Sequence, residues 1–206
     1  MSNQKRTYRM KQRAEAQEAT RLRITESAVE LHSQFGPSQT TMAAVAEHAG
    51  VRRSTLYRHF ADEEALFEAC SAHWYAQHPP PQIGRWAEVA DPAARFVVAL
   101  TELYAWYGGA SPMLDLLIRD QTLVPSVGRR FRGFHELVAA AREILMAGRR
   151  LRGAKRVQTA ALIDLSLRFE TWRTLCRDGE LGDAEAIDLL AGLVSGVRST
   201  VEARTP

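Results

Sequence analysis

Cysteine is scarce in this chain: Cys70 and Cys176 are its two in 206 residues, each set within an apolar helical pattern. So few thiols in so long a chain exclude a disulfide framework and make buried thiols the expectation. No apolar run approaches the roughly 18 residues of a membrane span, and the polar start MSNQKRTYRMKQR lacks the hydrophobic region of a signal peptide. A soluble cytoplasmic protein with no membrane partner is therefore expected. There is no Gly-x-Ser-x-Gly elbow, no phosphate-binding glycine loop and no paired Cys-x2-Cys. That leaves catalysis without a candidate group, and no cofactor is called for. Cys70, His73 and His78 form a C-x2-H-x4-H array, but helical spacing does not put all three on one face, so no metal site is expected either. Period-two alternation and internal repeats are also missing, which leaves an all-α chain.

What is present is enough apolar residue for real cores, 46% of the chain, and an uneven distribution of charge. Residues 1 to 60 hold ten Lys and Arg against five Asp and Glu, although the whole chain carries only +3. The remainder is mildly acidic. A basic head on an acidic body is the pattern of a nucleic-acid module joined to one of another kind.

The stretch Thr40 to Phe60, TTMAAVAEHAGVRRSTLYRHF, has the pattern of a helix-turn-helix. Val45 and Ala46 make a compact apolar pair, Ala49 and Gly50 are small enough for two helices to cross, and Gly50 tolerates the positive φ of a turn. Leu56 and Phe60 then fall one helical turn apart on the buried side. This leaves Arg52, Arg53, Thr55, Tyr57 and His59 facing outward on a helix suited to a DNA major groove. The two arginines can reach phosphate or donate two hydrogen bonds to guanine, and Thr55, Tyr57 and His59 are placed for phosphate or base edges. Thr40 or Thr41 caps the preceding helix, whose free N–H groups suit a phosphate.

Upstream, Ile24, Ala28, Leu31 and Phe35 give a support helix over about 17–35, ended by Gly36 and Pro37. Residues 1–16, with Lys5, Arg6, Arg9, Lys11 and Arg13, read as a basic arm, mobile without DNA, that could follow phosphates or enter a minor groove. Downstream, Asp62 caps a fourth helix with Leu66, Phe67, Cys70 and Trp74 on its buried side, and Pro79 to Pro81 redirect the chain.

Asp91 and Pro92 open a helix that Gly108 and Gly109 are expected to close, and Ser111 and Pro112 open a short one through Leu117. A further helix covers about 126–146. Arg149, Arg150, Arg152, Lys155 and Arg156 follow as a loop cluster that either binds an anion or is simply solvated. Residues 157–176 are apolar nearly all round and predict one helix covered on several sides. Ile187, Leu190, Val194, Val197 and Val201 predict a last helix. Two terminal antiparallel helices with surplus apolar surface suggest a homodimer through a four-helix interface.

The run AGVRRSTLYRHFADEEAL, Ala49 to Leu66, with Ile24, Ala28, Leu31, Gly36, Thr41 and Val45 ahead of it, resembles the DNA-binding domain of TetR-family transcriptional regulators. The resemblance covers roughly residues 20–70; beyond about 75 only helical character and length agree. His32 stands where the family commonly has Phe, predicting a smaller or wetter core there, and Glu63 stands where it often has a phosphate-binding Lys. The resemblance implies phosphate contacts by Tyr57 and Thr41 and a signalling role for the fourth helix. It also implies an effector pocket among helices carrying Phe96, Tyr104, Tyr107, Phe131, Phe134, His135, Arg168 and Trp172, with Asp115 or Glu170 as further polar groups. Most of those aromatics could equally be plain core.

The expected organisation is a basic arm over 1–16, a helix-turn-helix domain over 17–62, and a helical effector-binding and dimerisation domain over 63–206. The expected function is a homodimeric repressor that binds a palindromic site on double-stranded DNA and is released by a small-molecule effector. A regulator controlled without such an effector is one alternative, and a small helical enzyme is another.

Overall fold

The computed structural model of the chain describes residues 2–197. In order, its helices are α1 (Ser2–Phe35), α2 (Met42–His48), α3 (Arg53–His59), α4 (Glu63–Gln77), α5 (Pro92–Asp120), α6 (Pro125–Met146), α7 (Gly153–Ser166), α8 (Phe169–Trp172) and α9 (Asp183–Ser195). Short 3-10 turns lie at Pro37–Gln39 and Ile83–Glu88, and a π turn at Arg173–Arg177 continues α8. Among the described residues there is no strand. Packing gathers the chain into two compact units: one runs up to Pro79 and includes Pro112–Phe131, the other is Pro80–Ser111 with the chain from Arg132 on. This division differs from the functional boundary expected at residue 62, because α4, the end of α5 and the start of α6 pack with the head.

In the first unit, Ile24, Ala28 and Leu31 of α1 are buried with Val45, Ala46, Leu56, Phe60, Leu66 and Phe67. The apolar spacing read from the sequence is thus the packing that holds α1 to α4 together. Phe35, expected on that face, is instead 52% exposed. His32 is buried with its Nδ1 3.4 Å from Cys70 Sγ and its ring 6.0 Å from that of Phe67. The place is therefore filled by a polar pair within an apolar wall. Burial holds the His32 imidazole down at about 4, against an opposing pull from the Asp120 carboxylate, and burial pushes the Cys70 thiol up to about 12. Cys176 is half-buried rather than buried.

The basic arm is helical: α1 begins at Ser2, not near residue 17. Its segment through Arg13, Ala14, Glu15 and Ala16 is rich in strong helix formers, with i,i+4 pairs between Tyr8 and Gln12 at 3.0 Å and Lys11 and Glu15 at 3.9 Å. The packed half of α1 supplies the nucleus, and the exposed half propagates from it. The side chain of Lys5 lies outside the described residues.

Helix α5 does not stop at Gly108 and Gly109, nor restart at Ser111, but runs through Pro112. Pro112 has no N–H for the carbonyl of Gly108, and the Ser111 hydroxyl donates to that carbonyl instead at 3.3 Å. The buried stripe of Tyr107, Ala110, Met113, Leu114 and Leu117 continues across the break signals and outweighs them.

In the second unit the single helix expected over 157–176 is broken after Ser166. Tyr104 Oη donates to the Ser166 carbonyl at 3.0 Å and Tyr107 Oη to that of Leu167 at 2.7 Å, so the carbonyls released by the break have buried donors. The end of α6 is capped in a similar way. Buried Arg95 donates to the carbonyls of Ile144 and Ala147, each at 2.9 Å, and to Val89 at 2.8 Å. Arg149 donates to Leu145 and Pro92 carbonyls, so within the loop cluster it is a backbone donor and is neither simply solvated nor open to an anion. Helix α9 ends at Ser195 with Gly196 as its C-cap, so Val197, expected within it, lies beyond its end, and Val201 lies outside the described residues.

A histidine whose folded pKa lies below its unfolded value takes up protons more readily when unfolded. Its contribution to stability is therefore complete above pH 6.5 and is lost as pH falls toward 4. His32→Phe is expected to remove a pH dependence of up to about 3 kcal/mol across that window, read from denaturant unfolding at a series of pH values. The Asp120 carboxyl, held below its ordinary value, acts only at lower pH.

Candidate nucleic-acid interface

The turn between α2 and α3 is built by backbone geometry. Gly50 has φ +65°, the Val51 N–H donates to the Ala46 carbonyl at 2.9 Å, and the Gly50 N–H donates to that of Glu47 at 3.0 Å. These two bonds close α2 in a Schellman turn and set the direction of α3. At the other end of α2, Thr41 Oγ1 accepts from the Ala44 N–H at 3.1 Å, so Thr41 is the N-cap.

Two arginines of α1 brace this motif, and sequence reasoning counted them only as charge. Arg23 Nε donates to the Ala49 carbonyl at 3.0 Å, at the end of α2. Arg21 Nη1 donates to the His59 carbonyl at 2.7 Å, at the end of α3, and its guanidinium lies 4.2 Å from the centre of the Phe60 ring. A cation at a helix C-terminus meets both the unpaired carbonyls and the negative end of the dipole. The signal for this was absent from the sequence, because donor and acceptor are separated by 26 and 38 positions.

The sequence-predicted contact residues divide by exposure. Thr41, Arg52, Arg53 and Tyr57 are exposed, Tyr57 by 45%, and lie along the outer side of the motif. Thr40, Thr55 and His59 are half-buried. The Thr40 hydroxyl donates to the Gly36 carbonyl at 2.9 Å. Burial lowers the His59 pKa, and the charges of Arg58 and Arg21 lower it further against the pull of Glu18, so this ring is neutral near pH 7. Among the described residues its Nε2 is enclosed without a hydrogen-bond partner. Glu63 does lie in the first turn of α4, with Asp62 Oδ1 accepting from the Ala65 N–H at 2.8 Å, and Glu64 pairs with Arg129. The Glu63 side chain is exposed.

The residues expected around an effector fall elsewhere. Phe96, Tyr104, Tyr107 and Trp172 are in the closed core of the second unit, with Tyr107 edge-on to Phe169 at 5.3 Å and Trp172 Nε1 donating to Asp183 Oδ1 at 3.0 Å. Burial pushes both phenols well above their ordinary range, so they remain donors. Phe134 is half-buried, while His135 and Arg168 are exposed. Phe131 is half-buried and belongs to the first unit. Trp86, buried with its Nε1 2.7 Å from Glu102, is a core aromatic that the sequence did not single out. Cys70, His73 and His78 have separate partners: His32, Gln77 and the Trp74 carbonyl respectively. Among the described residues no three potential ligands gather as a metal site, and no helix is long and apolar enough to cross a membrane.

A short capped helix, a Schellman turn and a second short helix with an exposed basic and hydroxyl-bearing side define a helix-turn-helix protein. Residues 24–70 match the family described as bacterial regulatory proteins, tetR family. The uncharacterized HTH-type transcriptional regulator Rv1255c from Mycobacterium tuberculosis is 30% identical over 133 residues, 57% of this chain and 57% of that one. The match thus spans little more than half of the relative's length. A TetR-like transcriptional regulator from Rhodococcus sp. RHA1 superposes with a TM-score of 0.60 at 20% identity, covering 85% of this chain and 93% of that one. AibR, solved in complex with isovaleryl coenzyme A and operator DNA, gives a TM-score of 0.57 at 18% identity over 84% and 97% of the two chains. The helix-turn-helix thus lies within the segment that matches the tetR family of bacterial regulatory proteins, and the fold of the chain is similar to that of a TetR-like regulator.

Gly36 and Gly50 both have positive φ, but their surroundings differ. A Cβ on Gly50 meets nothing within 4 Å, whereas one on Gly36 would collide with Arg119 and Asp120. Gly50→Ala should cost only the conformational strain, about 1 to 2 kcal/mol. Gly36→Ala should lower stability by more, because the strain is joined by a displaced ion pair, and thermal unfolding of the two variants side by side measures the difference.

Proposed function

We propose that the chain is a homodimeric repressor that reads a palindromic operator through α3 and leaves it when a small molecule binds the body. The observation that carries this is the exposed set Arg52, Arg53 and Tyr57 at and within α3, with Arg23 bonded to the end of α2 and Arg21 to the end of α3. Thr41 adds a hydroxyl at the start of α2, and Thr40, Thr55 and His59 stand at its edges. The exposed basic helix over residues 6–16 extends the positive surface available to phosphates. In this reading residues 1–16, 17–62 and 63–206 are the arm, the reading head and the regulatory body, acting on double-stranded DNA in the cytoplasm.

Dimerisation is supported by the second unit. Leu165 of α7 and Leu193 of α9 are each about half exposed beside Ala161 and Leu162, and Leu189, one turn before Leu193, is as exposed, an apolar strip of a kind that self-association covers. A two-fold dimer would double the contacts of a short recognition helix. An acyl-thioester effector is supported by AibR, whose structure holds isovaleryl coenzyme A together with operator DNA. The mechanism is a population shift, in which the effector binds the DNA-incompetent state more tightly than the competent one.

A second reading, a regulator controlled by a protein partner, is favoured by one observation. Tyr104 and Tyr107 are closed in the core with their hydroxyls on backbone carbonyls rather than turned toward a ligand. A panel of short and long acyl-coenzyme A compounds separates the two. On the effector reading one of them raises the melting temperature and weakens operator binding together. A panel that moves neither, while operator binding is intact, leaves the partner-controlled regulator.

Tyr57→Ala should weaken operator binding while the protein sediments as the wild-type dimer. Unchanged affinity in a mobility-shift titration would remove α3 from the interface.

A further inference from the structure

The last two residues of α5 make contacts that neither helix formation nor core packing requires. The Asp120 side chain is fully enclosed. Its Oδ1 accepts from Arg119 Nε at 2.7 Å, and its Oδ2 accepts from the Ser38 N–H at 2.9 Å and from Arg119 Nη2 at 3.1 Å. Arg119 Nη2 also donates to the Phe35 carbonyl at 2.7 Å. The pair comes so close to Gly36 that a Cβ at that position would displace it. The Thr40 hydroxyl donates to the Gly36 carbonyl. Three polar backbone groups of the turn after α1, those of Phe35, Gly36 and Ser38, are therefore each held by a directed bond. The turn leads straight into Thr40 and Thr41.

Burying a carboxylate is costly, and apolar packing would hold two elements together as well. What the ion pair adds is direction. A planar guanidinium bound through two nitrogens to one carboxylate fixes the angle between its partners. Here those partners are the end of α1 and the first residues of the following turn.

We propose that Arg119 and Asp120 are positioning residues for DNA binding: by gripping the backbone of Phe35 to Ser38 they aim the Thr41 hydroxyl at the phosphate backbone. Neither touches DNA itself. The role rests on the DNA-binding reading above, and it assigns a function to a part of the chain 60 residues beyond the helix-turn-helix.

The test uses the full chain and an operator selected by the wild-type protein from random duplexes. Arg119→Gln removes the fork at a side chain that is 48% exposed, and Asp120→Asn removes the buried charge. Binding is measured well below the melting temperature of each variant. Each substitution should weaken operator binding about tenfold, the size of loss expected when a charged hydrogen bond is removed. Thr41→Ala should also weaken binding, and adding Arg119→Gln to it should cost no more than about a further twofold, because the pair then has little left to aim. Should Asp120→Asn fail to fold, Arg119→Gln alone and in the double variant still decides. Wild-type affinity in Arg119→Gln, or losses that multiply in full in the double variant, would overturn the proposal. Failure of the wild type to select any operator would overturn the DNA-binding reading instead.

Discussion

Every helix ends with carbonyl groups that no residue of its own can satisfy, and in this protein distant side chains supply the missing donors. Arg119 serves the end of α1, Arg23 the end of α2, Arg21 the end of α3, Arg95 the end of α6, and Tyr104 and Tyr107 the end of α7. Short helices make this constraint acute. Helices α2 and α3 have seven residues each, so their terminal groups are a large share of their whole backbone. An isolated seven-residue helix is not stable in water, and its ends must be held by the rest of the fold.

The same constraint links folding to function in the head. A recognition helix is useful only if its exposed side chains keep one direction relative to the duplex. Arg21 and Arg23 give that direction by tying both short helices to α1, while Gly50 supplies a turn that most residue types take only with strain. The aromatic residues of the second unit follow a parallel logic. Tyr104 and Tyr107 are polar at one end and apolar along their length, so they fill the core and still reach the carbonyls of Ser166 and Leu167.

Most of the head is legible in the order of its residues. Gly36 with Pro37, Thr41, Gly50 and Asp62 act locally, through φ, a missing N–H or a side chain that reaches three residues ahead, and local rules appear in local sequence. The exposed positions Arg52, Arg53 and Tyr57 follow from helical period alone. In the body the same rules mislead. Gly108, Gly109 and Pro112 are break signals, yet burial of the stripe from Tyr107 to Leu117 carries α5 through them; residues 157–176 carry no break signal, yet the helix breaks. The aromatics expected around an effector look alike in sequence whether they line a space or fill one, since both need apolar rings at helical spacing.

By itself, the sequence determined the helical class and the helix-turn-helix with its outward-facing basic and hydroxyl residues. Each of these depends on interactions between residues a few positions apart. Tertiary structure alone decided that Arg21, Arg23 and Arg95 are structural caps rather than free charge, and that Arg119 and Asp120 reach back to Gly36. Those outcomes depend on pairs 26 to 84 positions apart. A charged side chain carries no mark of whether it will meet water, a phosphate or a distant carbonyl until the chain has closed around it.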